Sequence, residues 1–153
     1  MSRVFKFRAW HKRSTTMLCD IHNEPNEQSD AYTFGDYIDD KDNYHVMQFT
    51  GLLDKDGKEI YEGDVIVHND HTVTFIVKWC DGKGEYLGSQ VGWILDNGYY
   101  AEELKANQSN SPDRDNSDDF APVAVLGNIY QNPDLLKGMG SFGYDPLTGE
   151  RKV

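Results

Sequence analysis

Apolar and polar residues alternate with a period of two in every apolar segment of this chain, the spacing of strands and not of helices. Over residues 4–10, Phe5, Phe7 and Ala9 share one face and Lys6 and Arg8 the other, which predicts a half-solvated antiparallel strand. The polar residues 12–15 turn the chain back through Met17 and Leu18. Another strand is expected over residues 46–50 with Met47 and Phe49 inward, followed by the turn Asp54-Lys55-Asp56-Gly57, in which Gly57 takes a positive φ without steric cost. Residues 65–67 and 71–79 form a hairpin about Asn69-Asp70, the second arm presenting Val73, Phe75, Val77 and Trp79 on its core face and Thr72, Thr74, Ile76 and Lys78 on the other. Turns at Asp81-Gly82-Lys83-Gly84 and Asp96-Asn97-Gly98 bracket a strand over residues 91–95, with Trp93 beside Val91 and Leu95. The last strand spans residues 123–130, and Asn132-Pro133-Asp134 is placed to cap one helical turn through Leu135 and Leu136.

Short strands, frequent turn signals and no long amphipathic helix predict a mainly β protein built on a small antiparallel barrel over residues 65–130, closed by its final strand. With 153 residues the chain can remove roughly 68 to 70% of its unfolded surface from water, enough for one domain or two small ones. Charge divides it further. Residues 1–19 carry five bases and no acid, whereas residues 20–45 carry eight acids against Lys41. In that acidic stretch Tyr32, Phe34, Tyr37 and Ile38 are spaced to pack a short helix or an edge strand. Residues 106–117 have almost no apolar side chain and the composition of a mobile loop.

The blocks Phe7-Arg8-Ala9-Trp10, Met47-Gln48-Phe49-Thr50-Gly51-Leu52, Asp56-Gly57-Lys58-Glu59-Ile60-Tyr61-Glu62-Gly63-Asp64-Val65 and Leu126-Gly127-Asn128-Ile129-Tyr130-Gln131-Asn132-Pro133-Asp134-Leu135-Leu136 carry a resemblance. In these residues the chain resembles the YopX family of phage and prophage proteins. The resemblance implies a phage or prophage origin and a β-rich fold containing an SH3-like barrel, and it brings no catalytic residues with it. The expected organisation is an N-terminal β-rich portion with an acidic insert over residues 1–60, the SH3-like barrel over residues 61–137 with a mobile acidic loop at 102–121, and a tail over residues 138–153. Physically, Gly51 and Gly63 stand where the chain turns sharply, and Asp64 can accept backbone hydrogen bonds at a strand's start.

Candidate chemistries fall away on spacing. Asp54, Asp56 and Gly57 open like a calcium loop, but the glycine comes fourth instead of sixth and Val65 holds the twelfth place, which needs a bidentate Glu. Cys19 with His22, and His68 with His71, supply four zinc-type ligands in two pairs that nothing in the sequence joins. No metal or other cofactor is expected. There is no Gly-x-Ser-x-Gly and no phosphate-cradling glycine loop, and no spacing singles out Cys80 as a nucleophile. An enzyme of hydrolase type is therefore the least favoured class.

The basic N-terminal strand is the candidate partner surface. Lys6 and Arg8 project together, Arg3, Lys12 and Arg13 lie close by, and Trp10 offers a stacking plane of the kind single-stranded nucleic acid uses. A net charge of -11 opposes that partner, and the adjacent acidic segment can neutralise the strand in cis. The sequence thus favours a non-enzymatic binding protein whose partner is another protein or a further copy of itself. A nucleic-acid accessory module is the alternative. With no apolar leader and no run of apolar residues able to span a bilayer, membrane association is not expected, a cytoplasmic location in a bacterial host is, and Cys19 and Cys80 should be reduced thiols.

Overall fold

The computed structural model describes residues 4–23, 33–68, 74–83, 91–97, 101–104 and 123–137. The chain divides into two compact units, Met1–Gly51 and Leu52–Val153. This boundary lies nearer the N-terminus than residue 60, because Ile60 is buried in the barrel core and the turn before it is bonded to the barrel's last strand.

In the first unit β1 (Phe7–His11) turns over residues 12–15 into β2 (Thr16–Leu18) and pairs on its other side with β3 (Tyr44–Leu53), all antiparallel. The strand register sets Arg8 opposite Met47 and Trp10 opposite both Met17 and His45. Cross-strand partners share a face, so Arg8 and Trp10 lie on the same side as Met47. The expected half-solvated strand is corrected here. A central strand with neighbours on both edges buries Ala9 on one face and Trp10 and Met47 on the other.

Before β3 the acidic stretch forms α1 (Phe34–Asp39), opened by a capping box: Thr33 Oγ1 accepts from the Asp36 amide, and the Thr33 amide donates to Asp36 Oδ2 at 2.6 Å. Aromatic contacts tie this helix to the sheet, with Phe34 4.7 Å from Phe7 and Tyr37 meeting Tyr44 edge-on at 5.0 Å. Gly51 was expected at a sharp turn. It lies instead inside β3, with φ +87°, where the strand changes course without ending.

The second unit holds β4 (Glu59–Tyr61), β5 (Asp64–His68), β6 (Thr74–Asp81), β7 (Val91–Asp96), β8 (Ala101–Glu103) and β9 (Val123–Asn128). Strands β5 to β8 form a meander and β9 returns beside β5, giving the order β8-β7-β6-β5-β9. The five-stranded sheet curves as a half-barrel, in keeping with the expected mainly β, small-barrel class. The outer edge of β9 is sealed by the Asp54 turn. Lys55 N donates to Val123 O at 2.9 Å, and the Val125 amide donates to Asp54 Oδ2 at 3.0 Å.

Inside the curve Ile60, Ile66, Phe75, Val77, Leu95, Leu104 and Val123 make one cluster. A second cluster on the opposite face joins Val65 and Ile76 to Ile129, Leu135 and Leu136. Two features of β6 therefore differ from expectation. Ile76, assigned to the outer face, is 1% exposed because the turn Pro133–Leu136 covers that face. Trp79, assigned to the core, is 46% exposed because β6 has by then run past the cluster.

The start of the expected mobile loop is also corrected. Residues 101–103 are strand, and Leu104 is buried, its amide donating to Trp93 O at 3.0 Å. Residues 105–122 and the tail, residues 138–153, lie outside the described residues.

Candidate functional site

The basic N-terminal strand does not assemble as a stacking groove. Lys6 Nζ sits 5.6 Å from the centroid of the Phe49 ring. Arg8 is half-buried, and Trp10 is 9% exposed, packed within the sheet and not offered as a platform. Long basic side chains commonly lay their aliphatic stems over apolar neighbours in this way. Lys12 Nζ donates to Lys41 O at 2.7 Å, a backbone carbonyl and not one of the neighbouring carboxylates. Arg13 is exposed in the turn, and Arg3 lies outside the described residues. On the Trp10 face, burial first and the Lys12 charge second pull the His45 imidazole below its usual range, so it adds no positive charge there at neutral pH.

The turn that carries Lys12 and Arg13 contains a grouping the sequence did not suggest. His11 Nδ1 meets Ser14 Oγ, which also meets Thr16 Oγ1, and the His11 ring stacks on Tyr44 at 4.8 Å. Thr15 takes φ +54° to close the turn. A hydroxyl beside an imidazole is the start of a nucleophile pair, but these groups are exposed and share one hairpin turn, where such bonds serve to hold the loop.

Among the described residues the Cys19–His22 pair gathers no further ligand. His22 Nδ1 accepts from the Phe7 amide at 3.1 Å, Cys19 is an exposed free thiol, and no group of three metal-type ligands occurs among the described residues. The side chains of His68 and His71 fall outside the described residues.

The conspicuous polar groups of the second unit serve the backbone. Asp54 Oδ1 accepts from the amides of Asp56 and Lys58 at 2.8 and 2.9 Å, closing the turn that Gly57 reverses at φ +81°. Asp64 Oδ2 accepts from the Tyr61 amide at 2.9 Å as predicted. Asn128 Oδ1 accepts from the amides of Tyr130 and Gln131, while the Asn128 amide donates to Asn132 Oδ1. Asn132 was expected to cap the helical turn; its side chain makes no cap bond there and reaches back to β9 instead. These residues are the turns and closures of the barrel.

Among the described residues the second unit leaves Leu53, Trp79, Val91 and Leu126 exposed, and one of them belongs to an aromatic pair. Trp79 on β6 stands opposite Trp93 on β7, their rings 5.0 Å apart and 75° from parallel. Beyond them Asp81 pairs with Val91, which is 62% exposed. Trp93 itself rests against the inner cluster and so anchors the pair. Sequence alternation marks Trp79 as core; only the length of β6 beyond the cluster reveals that it emerges.

The sequence profile of the YopX protein family matches residues 6–137, most of the chain and all four blocks quoted above. The chain belongs to the YopX family. Among solved structures, it is similar to the crystal structure of protein EF1440 from Enterococcus faecalis at 26% identity and a TM-score of 0.54, with 88% of this chain and 99% of that chain covered. No curated protein matches it. Within this YopX-family chain the shared blocks contain the capping residues Asp64 and Asn128 and flank Asp54, and Trp79 and Trp93 stand outside them.

Proposed function

We propose that this YopX-family chain is a phage- or prophage-type protein acting in the cytoplasm of a bacterial host by binding another protein, without chemistry. The observation that carries this reading is the Trp79–Trp93 pair, an indole 46% exposed beside the buried Phe75, Val77 and Leu95 and followed by the exposed Val91. Tryptophan is enriched among the residues that dominate binding energy, and a paired indole anchored on the core is ordered before a partner arrives. The polar residues in and beside the family blocks support the same reading, since Asp54, Asp64 and Asn128 spend side-chain oxygens on backbone amides.

Immobilised full-length protein is expected to retain a specific host or phage protein from infected-cell lysate, and Trp79→Ala to lose it while Arg13→Ala keeps it. Retention by neither wild type nor variants, or equal retention by all three, would count against the reading.

A further inference from the structure

The surroundings of the indole pair define the chemistry of what it takes. By the period of the strand, Trp79 and Asp81 share one face of β6, as Trp93 and Val91 do on β7, so a carboxylate lies at the open end of the aromatic pair. Asp81 accepts from the Lys83 amide at 3.1 Å, and Lys83 Nζ stands 3.8 Å from its other oxygen with both side chains largely exposed. The nearby cation Lys78 is held at 3.1 Å by the buried Asp96. In sequence the unit Leu52–Val153 carries 18 Asp and Glu against 9 Lys and Arg, a net of -9, whereas Met1–Gly51 carries 8 against 6.

We infer that Trp79, Trp93 and Asp81 form the docking site for a basic, arginine- or lysine-bearing segment of the partner protein, an inference that rests on the protein-binding reading above. The indole face attracts a cation more strongly than any other side-chain ring does, and a guanidinium can lie on it while pairing with a carboxylate. The charge of -9 draws such a segment in and repels both phosphate backbones and a second acidic copy of this unit. Lys83 is the internal competitor, since its exposed pair with Asp81 is of the weak class that an incoming charge displaces.

The test is a titration of full-length protein into a labelled ten-residue peptide alternating arginine and glycine, read by anisotropy, with a glutamate–glycine peptide, a dT oligonucleotide and sedimentation of the protein alone as the other arms. Binding of the arginine peptide is expected to weaken with salt. Trp79→Leu should weaken it roughly thirtyfold, the size of an interface hot spot, and Asp81→Asn by several-fold. Lys83→Ala should tighten it. The signs at Asp81 and Lys83 separate this site from a merely apolar patch, and retention of the thermal melt by each variant separates loss of site from loss of fold. Equal binding by wild type and Trp79→Leu, equal binding of the glutamate peptide, preferential binding of the oligonucleotide, or self-association abolished by Trp79→Leu would each overturn the inference. A lysate partner still captured through Trp79 when the arginine peptide fails would overturn the basic-segment assignment alone, whereas loss of both would remove the protein-binding reading as well.

Discussion

Gly127 shows how a single hydrogen atom in place of a side chain holds the end of this fold together. A Cβ there would stand 2.2 Å from Asn132 Oδ1 and 3.1 Å from Leu135 Cδ1. The amide oxygen could swing aside only by giving up the bond it accepts from the Asn128 amide. Gly127→Ala is therefore expected to destabilise by about 1–3 kcal/mol, the range for overpacking with loss of one hydrogen bond. In a denaturant double-mutant cycle, Asn132→Ala should relieve much of that cost, and strict additivity would contradict the contact. The sequence marks Gly57 as a reversal because a turn motif surrounds it, but nothing local distinguishes Gly127, whose constraint comes from a residue folded back from the following turn. Asp54 makes the complementary case through charge. Burial acts to raise its carboxyl, but the amides of Val125, Lys58 and Asp56, with the Lys58 charge, bring it below the ordinary 3.8. A carboxyl lower in the folded than in the unfolded state stabilises fully above the unfolded value and loses that contribution as pH falls through the folded one. Melts of Asp54→Asn against wild type should differ most near neutrality and converge below about pH 4. A gap that stays constant to pH 3 would show that the charge contributes nothing.

Strand β6 is where alternation succeeds and then misleads. Phe75 and Val77 enter the inner cluster as their spacing demands. Ile76 looks like an outward residue of a half-solvated strand, yet Leu135 and Leu136, some 60 residues later, cover it. Period-2 spacing reports which residues share a face; it does not report whether something distant packs on that face. The same blindness hides the burial of Trp10 and lets β4 and β8, three residues each, pass unnoticed. Consequently Phe75→Ala should cost about 3–5 kcal/mol and Ile76→Ala about 2–5, while Trp79→Ala, half in solvent, should cost clearly less than either. Urea titrations of the three variants decide this. A loss at Trp79 equal to that at Phe75 would mean that the indole is held as core and not as a surface.

At the scale of the molecule, charge and burial together govern which partners the chain can meet. The first unit is nearly neutral at -2 and the second carries -9, so the five N-terminal bases are the only cationic concentration in the sequence. That imbalance was legible from composition. What composition hid is that Lys6 lies against Phe49, Lys12 holds a carbonyl of residue 41 and Trp10 is packed between Met17 and His45 in the sheet. A strand that binds single-stranded DNA combines cations along the backbone with exposed rings for the bases, and each phosphate neutralised gives a salt slope near -0.7. Here the ring is buried, and the surrounding field repels phosphate. Anisotropy of a labelled dT oligonucleotide should accordingly give a dissociation constant no tighter than about millimolar at physiological salt, weaker than ordinary non-specific binding. Lys6→Ala combined with Arg8→Ala should leave that value unchanged. Micromolar binding that this double variant abolishes, with its melt intact, would instead establish the basic strand as a nucleic-acid surface, because neither side chain could then be serving only to cover the sheet.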